Sequence, residues 1–293
     1  MTATLAETEV PAAGRIRAGS LWPRVRRSPS TLIGGILVAL FVLVALIAVA
    51  WTPDDPLAIQ PAIALHGSSA AHLLGTDQYG RDVLSRLMAG TQVTIYAGIV
   101  SVAIAAGIGI PAGLLAAQRG GVLGEVVMRI GDVIYGFPAL LAAITLTAAL
   151  GASTTVAMIA IGVAYIPVFA RVSRAAALTV LSSNFVLAAR AYGRRPLAIL
   201  RRHVLPNVAP LLIVQASLLY AVAILAEAGL DFLGLGTPPP APSWGQMIHA
   251  GQDYLAGDPM LTVWPSIVII LAVLGFSLLG DGLREVLDPG LRR

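Results

Sequence analysis

The chain has 293 residues, of which 57% are hydrophobic and 12% charged, and its mean hydropathy of +0.84 with a formal charge of +4 places it outside the soluble range. It contains no cysteine, which excludes disulfides and thiol chemistry, and all 19 basic residues are arginine. A Gly-x4-Gly-Lys-Ser/Thr phosphate loop is therefore absent, and any ATP is hydrolysed by another chain. The pI of 9.8 invites a nucleic-acid reading, but the arginines border apolar runs rather than forming a stripe with interleaved aromatics, so no nucleic-acid partner is expected.

Residues 1–30 form a polar N-terminal segment ending in Arg24, Arg26 and Arg27, charges expected to stay in the cytoplasm. The first transmembrane helix, 31–51, rests on the uncharged run Thr31 to Ala50, long enough at helical rise to cross about 30 Å of hydrocarbon. Ala48-Val49-Ala50 has the form of a signal-peptide cleavage site, yet the run exceeds the usual signal core of about 7 to 15 residues. Residues 52–92 are a polar extracytoplasmic segment with Asp54, Asp55, Asp77 and Asp82 against Arg81 and Arg86. In it Val83, Leu84, Leu87 and Met88 share one helical face, which predicts a helix lying in the membrane interface.

The region 93–283 reads as a core of five further spans. The second, Val93 to Ala117, carries Gly109 and Gly113 at a small-xxx-small spacing suited to close helix packing. After an inner loop, Gln118 to Asp132, the third and fourth spans are Val133 to Leu150 and Thr154 to Phe169. Residues 171–207 then break the apolar pattern with seven arginines: Arg171, Arg174, Arg190, Arg194, Arg195, Arg201 and Arg202. Asn184 is a candidate N-cap for a helix ending at Tyr192, with Gly193 as its left-handed cap. A second short helix starts at Pro196, runs along Leu197, Leu200 and Val204, and meets Pro206.

The fifth span, Val208 to Leu230, holds Glu227 near its outer end. An ionisable group there either faces a partner or wet cavity, or is hydrated at interface depth. A proline-broken outer loop follows, then the sixth span, Thr262 to Leu283, and a tail, 284–293. Inner segments hold seventeen arginines and outer segments two, a bias that fixes both termini in the cytoplasm and requires an even number of spans.

Several stretches resemble one family. His72-Leu-Leu-Gly75-Thr76-Asp77-Gln-Tyr-Gly80-Arg81-Asp82-Val-Leu-Ser-Arg86 closely resembles the GTDxxGRDVxSR signature of the C-type permeases of dipeptide and oligopeptide ABC importers. Arg129 to Pro138 resembles that family's approach to its third span, and Asp231 to Gly245, with Ser243-Trp244-Gly245, its FLGLG…PSWG stretch. Gly280-Asp281 to Pro289 resembles its closing GDxLRDxLDP, where Asp281 is expected to meet Arg284 or loop backbone. Ala188-Ala189, Gly193 and Leu205-Pro206 match the spacing of its EAA loop, with Leu187 and Arg190 flanking, but Leu187 replaces the family's acidic first residue. No salt bridge from that position can be carried over.

The resemblance implies a type I ABC-importer permease with six transmembrane helices in a bacterial cytoplasmic membrane. Its partners would be a homologous B-type permease, two cytoplasmic ATPase subunits or one fused ATPase, an extracytoplasmic peptide-binding protein and the lipid bilayer. ATP and magnesium would sit on the ATPases, with no cofactor, metal or catalytic residue on this chain. Transport would be by alternating access, with Glu227 and Asp231 as candidates for the translocation path or outer gate. Nickel or glutathione permeases are same-family alternatives. An ion-coupled secondary transporter would explain Glu227 but leaves the arginine loop without a role.

Overall fold

A computed structural model describes Arg26 and residues 28–287. Arg15, Arg17, Arg24, Arg27, Asp288, Pro289, Arg292 and Arg293 lie outside the described residues. The first helix, α1, is Pro29–Ala50, started by Ser28, whose hydroxyl accepts from the Thr31 amide, and by proline in the first turn, where its missing N–H is harmless. Along the chain follow α2 Val83–Arg119, α3 Gly121–Tyr135, α4 Ala139–Leu150, α5 Thr154–Leu181 and α6 Asn184–Ala191. Then come α7 Pro196–Ile199, a π-turn at Leu200–Val204, α8 Leu205–Phe232, α9 Trp244–Gly251 and α10 Met260–Leu287. No strand occurs among the described residues, which leave only an isolated Thr76–Asp82 bridge.

Five helices are long and apolar enough to cross a membrane: α1, α2, α5, the continuous Pro196–Phe232 rod and α10. The pair α3 and α4, bent by 73°, makes a sixth crossing if counted as one span. The all-α, multi-span class expected from composition is therefore the observed one.

Four boundaries differ from the sequence reading. The interfacial helix and second span are one helix of 37 residues, about 55 Å long, because no proline interrupts it before Pro111. Its first turns are buried in protein: Val83, Ser85, Arg86 and Leu87 are all under 6% exposed. The third span breaks at Gly136-Phe137-Pro138, and the predicted inner loop before it is helical. Arg171 and Arg174 lie within α5, so the arginine-rich loop proper begins after Leu181. Finally, Pro206 does not end a short helix. In regular α geometry its ring would collide with the carbonyl of Arg202, and the π-turn directly before it widens the helix so that the rod continues.

The most extensive helix pair is α2 with α5. It closes through the two glycines singled out by spacing: a Cβ on Gly109 would sit 2.7 Å from Phe169 Cβ, and one on Gly113 would meet the Ala170 carbonyl and Ser173 hydroxyl. The α1 and α10 pair uses the same device at Gly34, Gly275 and Gly282. Ser28 Oγ donates to Glu285 Oε2 at 2.6 Å, so the two ends of the described chain meet at one end of the helical body. That end also holds the arginine-rich turn. The opposite end gathers residues 51–82, the α4–α5 turn and the loop 233–259.

Candidate functional site

At the arginine-rich end, α6 is a two-turn helix fixed from beneath and bare on top. Ser183, not Asn184, is its N-cap residue, and Asn184 is its first helical residue. Val186 is fully buried in a core shared with Leu181, Ile199, Leu200, Val204 and Val208, while Phe185 packs near the His203 ring at 6.1 Å. The helix stops as the sequence predicts. Gly193 has φ of +71°, its amide donates to Arg190 O at 2.9 Å, and the Arg194 amide donates to Ala189 O at 3.1 Å, the paired bonds of a Schellman cap. Arg195 then leads into α7, with Pro196 at its first position.

The outward surface of this turn carries Leu187 at 49% exposure and Tyr192 at 88%, together with Ala188, Arg190, Arg194 and Arg195. Ala189 is half-buried. Tyr192 and Phe185 were not among the predicted site residues, although Phe185, Ala188 and Tyr192 fall at i, i+3 and i+7 and so share a face. Leu205 and Pro206 belong to the foot of α8 beyond the π-turn, not to the projecting helix; Leu197, predicted on the buried stripe, is 62% exposed, and Ile199 takes its place. Arg171 pairs with Asp132 at 2.9 Å and covers the Tyr135 ring at 4.6 Å, bracing α3 against α5. With both partners exposed, that ion pair is worth at most about 1 kcal/mol.

At the opposite end, the Gly-Thr-Asp signature is a knot that caps α2. Asp77 Oδ1 accepts from the amides of Tyr79 and Arg81, and its Oδ2 meets Arg81 Nε at 2.7 Å and Arg86 Nε at 3.5 Å. Thr76 donates to the Ile63 carbonyl and accepts from the His66 amide. Gly75 and Gly80 have φ of +81° and +74°, and a Cβ on Gly80 would strike the Gln60 carbonyl. Asp82 is the N-cap of α2, accepting from the Ser85 amide and hydroxyl, both at 2.7 Å. Two further bonds, from the Asp54 amide to Ser85 Oγ and from Arg86 Nη1 to the Pro56 carbonyl, tie the segment after α1 to the same helix.

The Ser243-Trp244-Gly245 motif starts a helix, although the prolines before it predict an outer loop. Ser243 accepts from the Gln246 amide, and Trp244, fully buried, donates from Nε1 to Leu87 O at 3.0 Å and meets Phe41 edge-on at 5.5 Å. A Cβ on Gly245 would collide with the Ala228 carbonyl, so α9 lies directly on α8. Glu227 and Asp231 are each 1% exposed. Glu227 Oε2 lies 3.4 Å from the Thr94 hydroxyl, and Asp231 Oδ1 accepts from the Thr237 amide at 2.5 Å. Both are enclosed within this one chain, so neither faces an open path in this conformation, and Asp231 instead fixes the loop back toward α9. Asp281 is exposed and forms no ion pair among the described residues; Glu285 makes the contact near that end instead.

A multi-span helical body with a shaped, arginine-flanked turn at one end and a capped knot at the other is a multi-pass helical membrane protein. The chain belongs to the family of binding-protein-dependent transport system inner membrane components, whose model matches residues 109–293, and it is thus a multi-pass protein of the bacterial inner membrane. It is 35% identical over 269 residues to the dipeptide transport system permease protein of Alkalihalophilus pseudofirmus, covering 92% of this chain and 88% of that one. It is 37% identical over 272 residues to the glutathione transport system permease protein of Pectobacterium atrosepticum, covering 92% and 90%. In fold it is similar to a chain of the inward-facing MetNI methionine ABC transporter, with a TM-score of 0.56 and 22% identity over 68% of this chain and 95% of that one.

Proposed function

We propose that the chain is the permease subunit of an ATP-driven importer of short peptides, powered through the turn Ser183 to Arg195. Two relatives named for a dipeptide and for glutathione, itself a tripeptide, support short peptides as the substrate class. The observation that carries the coupling role is the turn itself: a rigid cap and a buried Val186 hold Leu187 and Tyr192 outward among Arg190, Arg194 and Arg195. Such a surface suits a cleft that is apolar at its centre and acidic at its rim. With Leu187 exposed on the turn and no acidic residue within it, the ATPase contact leans on apolar packing and arginines.

The arginine-rich end is then cytoplasmic, and the knot end faces a peptide-binding protein outside. A second, homologous permease would complete the pathway, with ATP and magnesium held by two ATPase domains. Closure of those domains would move the turn and rock the spans, opening the path alternately to each side. No bond of the substrate is made or broken on this chain. The test is affinity purification from native membranes followed by uptake into vesicles. The expected result is co-purified ATPase and ATP-dependent accumulation of labelled di- and tripeptides. Retrieval without any ATPase, with uptake driven by an ion gradient, would refute the reading.

A further inference from the structure

Three side chains at the knot end, Asp54, His72 and Asp82, converge on one point. His72 Nδ1 lies 3.1 Å from Asp82 Oδ1 and 3.4 Å from Asp54 Oδ2, and one ligand atom from each of the three residues falls within 4.8 Å of the others. They come from three places: the segment after α1, the turn before the Gly-Thr-Asp signature and the N-cap of α2. Two carboxylates share one imidazole nitrogen, and that nitrogen carries at most one hydrogen, which can serve one carboxylate well and not both. The arginines of the knot are engaged elsewhere. Arg81 is spent on Asp77, and Arg86 on Asp77 and the Pro56 carbonyl.

We propose that Asp54, His72 and Asp82 form a binding site for a divalent cation of the zinc type. Zinc binds imidazole nitrogen and carboxylate oxygen at about 2.0 to 2.2 Å. Two such ligands at a tetrahedral angle stand roughly 3.4 Å apart, close to the 3.4 and 3.1 Å that separate His72 Nδ1 from the Asp54 and Asp82 carboxylates. Calcium would want six to eight oxygens and magnesium an octahedron of them, so one nitrogen and two carboxylates select a borderline transition metal. The site is held in place: Asp82 Oδ2 is occupied by the Ser85 amide and hydroxyl, which turns Oδ1 toward His72, and the Asp54 amide is fastened to the same Ser85 hydroxyl. The Asp82 side chain is 1% exposed, His72 15% and Asp54 39%, so a bound ion is reached from the Asp54 side, where water completes its coordination.

Bound metal would staple the chain leaving α1 to the head of α2. The experiment uses the full chain, purified with its partners in detergent, and measures zinc binding by competition with a chromophoric chelator and cobalt binding by visible absorption. The expected result is one zinc per permease chain and the intense bands of low-symmetry, near-tetrahedral cobalt. Because losing an outer-shell partner already costs 10- to 100-fold in affinity, His72→Ala should weaken binding by at least about 100-fold. Asp54→Asn, at the exposed side of the site, should weaken it while leaving the complex monodisperse, which separates ligand loss from misfolding. His66→Ala, a nearby histidine outside the cluster, should change nothing. Absence of saturable zinc binding by the wild-type chain, or equal binding by wild type and both site variants, would overturn the proposal; in either case His72 is a hydrogen-bond bridge alone.

Discussion

Replacing Gly193 by valine tests whether the shape of the arginine-rich turn is what transmits work. No atom lies within 4 Å of where a Cβ would stand on Gly193, so the substitution meets no steric obstacle and acts through the backbone alone. At φ of +71° a residue with a β-carbon is disfavoured by about 1 to 2 kcal/mol, and β-branching worsens it. Since about 1.4 kcal/mol is a tenfold change in an equilibrium, the capped turn should be depleted roughly 5- to 30-fold relative to frayed alternatives. The Gly193 and Arg194 amide bonds that close α6 would be lost with it, while the glycine-packed spans keep their contacts. Gly193→Asn is the control, because asparagine tolerates the left-handed region. The assay is ATP-dependent peptide uptake normalised to co-purified ATPase. Valine should lower uptake per ATPase severalfold, asparagine little, with unchanged thermal unfolding of the membrane body in both. Equal uptake by the valine, asparagine and wild-type complexes would refute the claim that the geometry of this turn is the coupling element.

Gly113→Val should force α2 from α5 and lower the melting temperature and yield of the complex, whereas Gly107→Val, whose Cβ would meet nothing within 4 Å, should leave both near wild type; thermal scanning fluorimetry distinguishes them. Glu227→Gln should retain most uptake, because the buried side chain is hydrogen-bonded by Thr94 and opens on no path, while Glu227→Ala should destabilise by leaving a cavity; a stable Gln variant without uptake would instead make ionisation part of transport. In the cysteine-free chain, Ser68→Cys and Ala256→Cys should react with an impermeant thiol reagent in spheroplasts, and Ser182→Cys should not; all three positions are exposed, so the pattern reports sidedness alone.

What was legible in the sequence was local or periodic. Gly193 could be read because a helix cap depends on a few neighbouring residues, and Gly109 and Gly113 because four-residue spacing places them on one helix face. The role of Gly75, Thr76, Asp77, Gly80, Arg81 and Asp82 was visible only as a pattern; the reason for it, a knot built on Asp77, needed the carbonyls of Gln60 and Ile63 brought back from upstream. Pro206 misled because proline usually ends a helix, and the π-turn that accommodates it leaves no mark of its own in residue type. Glu227 could be read as facing a wet cavity or as hydrated at interface depth, because a sequence does not show that α2 supplies Thr94 and covers it. The Asp54, His72 and Asp82 cluster joins residues up to 28 positions apart through a segment without regular structure, so no spacing could announce it.

The rod from Pro196 to Phe232 is 37 residues, about 55 Å of unbroken helix, with one tip beside the arginine-rich turn and the other beside Asp231 and α9. Its compliance is distributed unevenly. The π-turn, Pro206 and Pro210 all fall within its first fifteen residues, and no proline interrupts it from there to Phe232. A push on the turn is thus received by a yielding foot and delivered through a stiff shaft, and displacement at the far tip is set by how far the foot bends before the shaft moves.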